Sequence, residues 1–391
     1  MPEDISRVCF LGIYGHNQDE VLREGLAGRD VDVVELSVPR HSLSEAREEK
    51  RFPVLTMRAT MSWFGGVPSW LFPLLVVATF LVHGLAIGAV TLARAGRLRG
   101  VDAVVVPHMG DTSVLYAKPV AVLLGVPLVY VSHNGLYFTL VENREMFPRA
   151  SLAGRFLWWL DRLMHGLADH VVVFSDESGR QFAETFGVPG SWYTTIYISA
   201  PPGALDRPVE PDERHDCDCL YWGNYHPHHG PEAMVRAAAA LPEYEFVFLG
   251  ASSKREANVE LAEELDAENV SFPGFVSRDE LVRYVKAAGA VFGPVGDNPQ
   301  TEFTIGTKVA EAAYLGKAIV VGQQPAIEEV FTHREDAYLV EPGDPGAVQD
   351  GVEDLLTDDD LRRRLERGAA DAYDDYLSSE EAGRRFLAML A

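Results

Sequence analysis

Short apolar runs alternate with helical patterns along the whole chain, and this alternation constrains the fold more than any other feature. A first series of runs lies at residues 7–11, 31–36, 103–106, 128–131 and 170–174. A second series lies at residues 218–222, 245–249, 270–272, 290–292 and 318–321. Runs that are apolar on both faces are typical of parallel strands covered by crossover helices. The sequence therefore predicts an α/β protein with two doubly wound, Rossmann-like domains.

A segment rich in proline and glycine separates the two series. Residues 199–211 contain four prolines and one glycine, which disfavours a helix or strand interior. The length of 391 residues also exceeds the usual size of one hydrophobic core. We predict an N-terminal domain over residues 1–198, a linker over 199–211 and a C-terminal domain over 212–378. A last helix over 379–391 is expected to pack back onto a domain.

The charge balance excludes several classes of partner. The formal net charge of -24 would repel nucleic-acid phosphates, so no nucleic acid is expected to bind. Such an acidic, lysine-poor composition resembles that of proteins from salt-accumulating microbes and is haloarchaeal-like. Of the three cysteines, Cys217 and Cys219 form a C-x-C pair. A zinc framework needs a second such pair, so no metal site is expected. This cysteine content fits a reduced, cytoplasmic protein, and the first residues lack the pattern of a secretory signal.

One segment, residues 70–93, interrupts the alternation. It has no charged residue unless His83 is protonated, and it is long enough to span a bilayer. A single crossing would put the runs at 7–11 and 103–106 on opposite sides of the membrane. We expect both runs in one sheet, so a spanning helix is not favoured. A membrane-surface or re-entrant helix and an ordinary buried helix both remain open. We expect a peripheral contact with the inner face of the cell membrane.

The loop before the last run of the second series contains the clearest candidate site. Ligands of open α/β sheets bind at the carboxyl ends of the strands, where this loop lies. Gly306 and Thr307 stand at a predicted helix start, where free backbone N–H groups would face an anion such as a diphosphate. Lys308 would add a positive charge, and Glu311 would accept hydrogen bonds from a ribose diol. The alternative is that Lys308 and Glu311 form an i,i+3 surface pair on an ordinary helix.

The segment that contains these residues resembles a known signature. Residues 307–321, Thr-Lys-Val-Ala-Glu-Ala-Ala-Tyr-Leu-Gly-Lys-Ala-Ile-Val-Val, resemble the nucleotide-sugar signature of family-4 (group 1) GT-B glycosyltransferases. Similar matches lie at 10–14, 221–230, 292–297 and 322–331. The resemblance implies the GT-B fold, with two Rossmann-like domains facing across a cleft. It also implies transfer of a hexose from a nucleotide sugar to a glycan or lipid-linked acceptor with retention of configuration, and no further cofactor.

The resemblance assigns roles in the second domain. Glu311 would bind the donor ribose, as the matching residue does in the family. In the loop that contains Gly223 and Asn224, His229 stands where a lysine usually meets the diphosphate, and its imidazole can still donate a hydrogen bond. A solvated loop is the alternative for His229 and its neighbouring histidines, His226 and His228. Lys308 and His229 are the candidates for stabilising the leaving group.

The resemblance also assigns roles in the first domain. Gly12 lies in the first loop of that domain and is expected to help bind the donor. His133 follows the run at 128–131, and it matches the family histidine that contacts the donor sugar. We therefore group it with the catalytic candidates, although a buried structural histidine remains the alternative.

Two positions depart from the family pattern. Phe303 stands where many members have a carboxylate, eight residues before Glu311, and Phe138 stands where an acidic residue is usual. A non-catalytic GT-B-fold partner protein that still binds nucleotide is therefore an alternative function. A sugar-nucleotide epimerase shares the two-domain fold. A dehydrogenase fits less well, because residues 12–15 lack the G-x-G-x-x-G turn.

Overall fold

The structure is a computed structural model that describes residues 5–14, 17–39, 68, 70–107, 113–133, 135–143, 145–197, 199–200, 205–252, 254–298 and 301–391. The chain forms two compact units. Unit 1 comprises Met1–Phe174, Gly179–Ile196 and Gly383–Ala391, and unit 2 comprises Ser175–Ser178 and Tyr197–Ala382. Residues 201–204 of the predicted linker lie outside the described residues.

Unit 1 is built on a six-stranded parallel sheet in the order β2-β1-β3-β4-β5-β6. Its strands are β1 (Arg7–Tyr14), β2 (Asp32–Pro39), β3 (Ala103–Val106), β4 (Leu128–Val131), β5 (His170–Val173) and β6 (Tyr193–Thr195). The prediction that Gly12 lies in a loop is wrong. β1 continues through Gly12 because β2 pairs with it along all eight residues, with Gly12 opposite Ser37.

The helices of unit 1 cover both faces of its sheet. They are α1 (Asn17–Ala27), α2 (Phe72–Ala93), α3 (Val114–Leu124) and α4 (Leu152–Leu167), and α5 (Asp176–Phe186) begins in unit 2 and continues into unit 1. α2, α3 and α4 share one hydrophobic core with the strands, to which they contribute Phe72, Ala117 and Leu157. Among the described residues, no helix combines the length and the apolar content needed to cross a bilayer. β1 and β3 are hydrogen-bonded neighbours, as the argument against a single crossing required.

Unit 2 contains a second six-stranded parallel sheet, in the order β12-β11-β10-β7-β8-β9. Its strands are β7 (Cys219–Trp222), β8 (Phe246–Leu249), β9 (Val270–Gly274), β10 (Ala290–Phe292), β11 (Ile319–Gly322) and β12 (Tyr338–Val340). The strand order reverses between β7 and β10, and such a switch point is where open α/β sheets bind their ligands.

Helices connect these strands and complete the chain. They are α6 (Pro231–Ala239), α7 (Arg255–Glu264), α8 (Arg278–Ala287), α9 (Thr307–Tyr314), α10 (Pro345–Thr357), α11 (Asp359–Ala372) and α12 (Ser379–Leu390). Shorter helical turns are Ala95–Leu98, Gly135–Tyr137, Phe138–Asn143, Gly190–Trp192, Glu213–His215, Pro227–His229, Pro325–Glu328 and Tyr373–Leu377. The last helix crosses α1 closely, because a Cβ at Gly383 would lie 2.3 Å from the carbonyl oxygen of Gly25.

The loops after β7 and β8 approach each other backbone to backbone. Gly250, which follows β8, has a φ of +122°, and a Cβ there would lie 1.9 Å from the carbonyl oxygen of Gly223. Its N–H donates to the carbonyl of Gly274 at 2.8 Å. Glycine at position 250 therefore sets the position of the loop that follows β7.

Gly250→Ala is expected to lower the free energy of unfolding by at least about 2 kcal/mol, because both the backbone conformation and the contact with Gly223 become unfavourable. Gly316→Ala is the control. Gly316 also has a positive φ, +58°, but the nearest atom to its added Cβ lies 3.6 Å away. Gly316→Ala should lower the free energy of unfolding by only about 1 kcal/mol, through conformational strain alone. Equal melting temperatures of the two variants would contradict the role assigned to the contact.

Candidate functional site

The candidate site lies in unit 2, where the loop after β7 meets the start of α9. Both elements adjoin the switch point of the sheet, since α9 follows β10 after a connecting loop. α9 begins at Thr307, as the sequence predicts, and Gly306 precedes it with a φ of 85°. The first N–H groups of a helix lack partners within that helix. The switch point thus brings helix-terminal donors close to the loop after β7.

Lys308 is buried in the first turn of α9, with only 9% of its surface exposed. Its Nζ lies 4.2 Å from the ring centre of Tyr221 and 3.2 Å from Nδ1 of His229. A Cβ on Gly223 would lie 2.9 Å from the same Nζ, so a side chain at position 223 would crowd the ammonium group. Burial lowers the pKa of Lys308 to about 7, against an opposing effect of Glu311. The ring face of Tyr221 partly offsets the lost hydration of the charged form.

Two groups contact Nδ1 of His229. The Tyr221 hydroxyl, which accepts from the backbone N–H of Tyr225 at 3.2 Å, lies 2.8 Å from Nδ1, and Nζ of Lys308 lies 3.2 Å from it. A charged ammonium can only donate, so Nδ1 is the acceptor when Lys308 is protonated, and the proton of the neutral ring is then on Nε2. Burial, followed by the charge of Lys308 and the neighbouring histidines, lowers the pKa of His229 far below its ordinary value. At neutral pH the ring is an uncharged N–H donor.

Glu311 lies one turn further along α9 and is 5% exposed. Its Oε2 accepts from the indole N–H of Trp222 at 2.9 Å, and its Oε1 accepts from the guanidinium of Arg278 at 2.5 Å. The interpretation of Lys308 and Glu311 as a surface pair is therefore wrong, because both side chains are buried and each has other partners. A carboxylate has about four lone-pair sites, so Glu311 keeps acceptor capacity beyond these two bonds.

Three residues of this site were not predicted from the sequence. Tyr221 and Trp222 end β7, and they were noted only as part of a matching segment. Arg278 begins α8, and its separation of 33 residues from Glu311 gives no signal in the sequence. A buried carboxylate does require a cationic or hydrogen-bonding partner, but the sequence does not say which arginine supplies it.

The other predicted site residues are divided between the units. Gly223, Gly306 and Thr307 lie in unit 2 with Lys308, and Asn224 follows Gly223 with an exposed side chain. Gly12 and His133 lie in unit 1. The structure therefore brings His229, Lys308 and the glycines around them into one site within unit 2.

His133 follows β4 in unit 1, and its ring centre lies 4.9 Å from that of Phe174. The preceding residue, Ser132, hydrogen-bonds to Nε2 of His165 at 3.1 Å, and the hydroxyl of Tyr193 lies 3.0 Å from Nδ1 of the same ring. Burial lowers the pKa of His165 to about 3, which leaves it neutral. His165 is thus the buried structural histidine of this region, whereas His133 is only partly buried.

The two departures from the family pattern are both buried. Phe138 belongs to the hydrophobic core of unit 1, and its ring centre lies 5.0 Å from that of Phe182. Phe303 is 5% exposed in unit 2. Within the part of the chain that the structure describes, no group of three or more His, Cys, Asp and Glu side chains could hold a metal ion.

Comparison with known proteins gives matches in both units. Residues 18–198 match the family described as glycosyl transferase 4-like domain, and residues 207–372 match the glycosyl transferases group 1. An uncharacterized glycosyltransferase of Methanocaldococcus jannaschii is 28% identical over 152 residues, which are 38% of each protein. The chain thus matches well under half the length of this curated relative.

Solved structures match over nearly the whole chain. Sucrose-phosphate synthase of Thermosynechococcus elongatus has a TM-score of 0.68 at 15% identity and covers 98% of each chain. HepE of Anabaena, crystallised with UDP, has a TM-score of 0.63 at 12% identity and covers 99% of each chain. At such identities the likeness establishes the fold.

Replacement of Lys308 tests its burial through the pH dependence of stability. Because the folded-state pKa is about 7 and the ordinary value is 10.5, the unfolded chain binds more protons than the folded chain between these values. Wild-type stability therefore rises with pH across this window. We expect Lys308→Met to be stabilised relative to wild type most strongly below about pH 7, and the difference to shrink toward about pH 10.

Urea unfolding at several pH values measures this difference. Lys254→Met is the matched control, because Lys254 is exposed and keeps its hydration on folding. If the difference in the free energy of unfolding between wild type and Lys308→Met were independent of pH, the ammonium group would not be buried as described.

Proposed function

Since the chain joins a glycosyltransferase 4-like domain to a group 1 glycosyltransferase domain, we propose that it is an enzyme that transfers a sugar from a nucleotide-sugar donor to a glycan or lipid-linked acceptor. The observation that carries the proposal is the buried group around Lys308 and His229 in unit 2. It places N–H donors and a titratable amine beside the start of α9, which suits a diphosphate. A structural neighbour from Anabaena was crystallised with UDP.

In this proposal the diphosphate is the leaving group. As its bond to the anomeric carbon breaks, negative charge develops on the phosphate oxygen. The ammonium of Lys308, the Nε2–H of His229 and the first N–H groups of α9 stabilise that charge. These groups are fixed before the donor binds, because Tyr221 orients His229. Retention of configuration and a hexose donor are part of the proposal, on the resemblance of residues 307–321 to the family signature.

Glu311 binds the ribose in this proposal. Trp222 and Arg278 each donate one hydrogen bond to its carboxylate and hold it in place. The remaining lone pairs then accept from the ribose hydroxyls. Arg278 also offsets the cost of burying the charge, which would otherwise favour the protonated acid.

A non-catalytic partner protein that binds nucleotide is the second candidate. The observation that favours it is the burial of Phe303, which stands where many family members have a carboxylate for the donor sugar. A transfer assay distinguishes the two candidates. The purified protein is incubated with UDP-, GDP- and dTDP-sugars and a membrane lipid extract, and transferred sugar is measured. Transferred sugar supports the enzyme. Nucleotide binding without transfer for any donor and acceptor would contradict it and support the partner protein.

Glu311→Ala is expected to weaken UDP binding by about tenfold or more, because it removes a charged acceptor of ribose hydrogen bonds. Titration calorimetry of the folded variant measures the dissociation constant. Glu353→Ala, an exposed carboxylate on α10, is the matched control and should bind UDP as wild type does. Unchanged affinity in folded Glu311→Ala would refute the ribose assignment.

UDP binding is also expected to take up a proton above pH 7. In the protein without UDP, Lys308 has a pKa of about 7. A bound diphosphate is expected to raise this pKa, because the anion favours the charged amine. The affinity for UDP should therefore fall as the pH rises above this value, by up to about tenfold per pH unit. Calorimetry at about pH 8, in buffers of different ionisation enthalpy, should show the uptake of about one proton for each UDP bound. Lys308→Met should take up none, and zero uptake by wild type would exclude Lys308 from diphosphate binding.

A further inference from the structure

Large apolar side chains are exposed on one side of unit 1. They lie on α3 and α4 and at the start of α2: Leu123 is 86% exposed, Val122 65%, Leu152 64%, Trp70 61%, Leu74 60% and Trp159 52%. The three helices pack against one another. The rings of Phe72 and Phe147 lie 4.5 Å apart, and the hydroxyl of Tyr116 hydrogen-bonds to the backbone of Gly84.

These side chains point away from the sheet on a shared side. The inward faces of α2, α3 and α4 contribute to one hydrophobic core against one face of the sheet. Their exposed side chains therefore lie on the opposite, outer surface of the same helical layer. Exposed apolar patches of this kind mark interaction sites in soluble domains.

The same layer is nearly free of acidic residues in a strongly acidic protein. Residues 70–101, 113–133, 135–141 and 146–160 contain no Asp or Glu, although the whole chain has 58 of them. Exposed arginines flank the apolar side chains. Arg94, Arg97 and Arg99 follow α2, and Arg155 lies on α4 between Leu152 and Trp159. The surface thus combines apolar and cationic groups, and we call it the arginine-flanked face.

We propose that the arginine-flanked face docks on the surface of an anionic lipid bilayer, with its apolar side chains in the interfacial region and its arginines at the lipid phosphates. The composition fits this partner, because peripheral anchors combine apolar burial with basic side chains. A second copy of the chain fits less well. The acid-free segments of one copy offer no carboxylate to pair with the arginines of the other.

The large negative charge of the rest of the protein does not prevent this contact. At about 0.15 M salt the Debye length is about 8 Å, so acidic groups further than this from the bilayer are largely screened. Arginines that touch the headgroups are within this distance and keep their attraction. The local charge of the face therefore decides the interaction.

Vesicle flotation without nucleotide sugar tests the proposal with the full chain, so its outcome is separate from that of the transfer reaction. The protein is mixed with vesicles of phosphatidylcholine alone or with phosphatidylglycerol added. We expect it to float with the phosphatidylglycerol vesicles and to bind them about tenfold or more tightly than the neutral ones. Arg94→Gln/Arg97→Gln/Arg99→Gln should lower this binding by about tenfold or more.

Matched variants in unit 2 control for net charge and apolar content. Arg363→Gln/Arg364→Gln/Arg367→Gln removes three exposed arginines from α11, and it should bind vesicles as wild type does. Leu123→Ser/Trp159→Ser should reduce binding about tenfold, whereas Phe275→Ser/Leu265→Ser should not. An equal loss of vesicle binding in the variants of the arginine-flanked face and in the control variants would overturn the proposal. So would an absence of vesicle binding together with a dimer, in sedimentation, that Leu123→Ser/Trp159→Ser dissociates, since the face would then be an interface between copies.

Discussion

The burial of the Lys308 ammonium is the constraint on which the arrangement of the unit 2 site depends. A buried amine loses its hydration, and neighbouring groups must replace part of it. The ring of Tyr221 and the carboxylate of Glu311 favour the charged form, while the neutral ring of His229 adds no competing charge. Gly223 leaves the space in which these groups meet. Each residue type around the amine thus follows from where the amine lies.

The fold could be predicted from the sequence because its central strands are buried on both faces. β3, β4 and β10 have the predicted bounds, and the fold class is confirmed by the two parallel sheets and by the solved structures of the same fold. β6 and β12 were not predicted, since each is a three-residue edge strand that is paired on one side only. β1 was predicted to stop at Gly12, because a glycine usually marks a turn, but pairing with β2 overrides that local preference.

The residues of the site on α9 could be predicted from their spacing, and His229 from the resemblance of its loop to the family. Lys308 and Glu311 share one turn of a helix, so their spacing already places them on one face. Arg278 and Trp222 reach Glu311 from separate elements, and only the folded sheet brings them together. The roles of His133 and Gly12 stay predictions, because these residues lie in unit 1 and the buried group around Lys308 belongs to unit 2.

The close approach of Gly250 to Gly223 has a consequence for exchanging parts between related proteins. The two loops touch through their backbones, so neither can take up a new shape while the other stays fixed. A loop from a relative that replaced residues 223–230 alone would meet the unchanged backbone after β8. A chimera designed to alter the ligand preference of unit 2 would therefore need to take the loops after β7 and β8 together from the same relative.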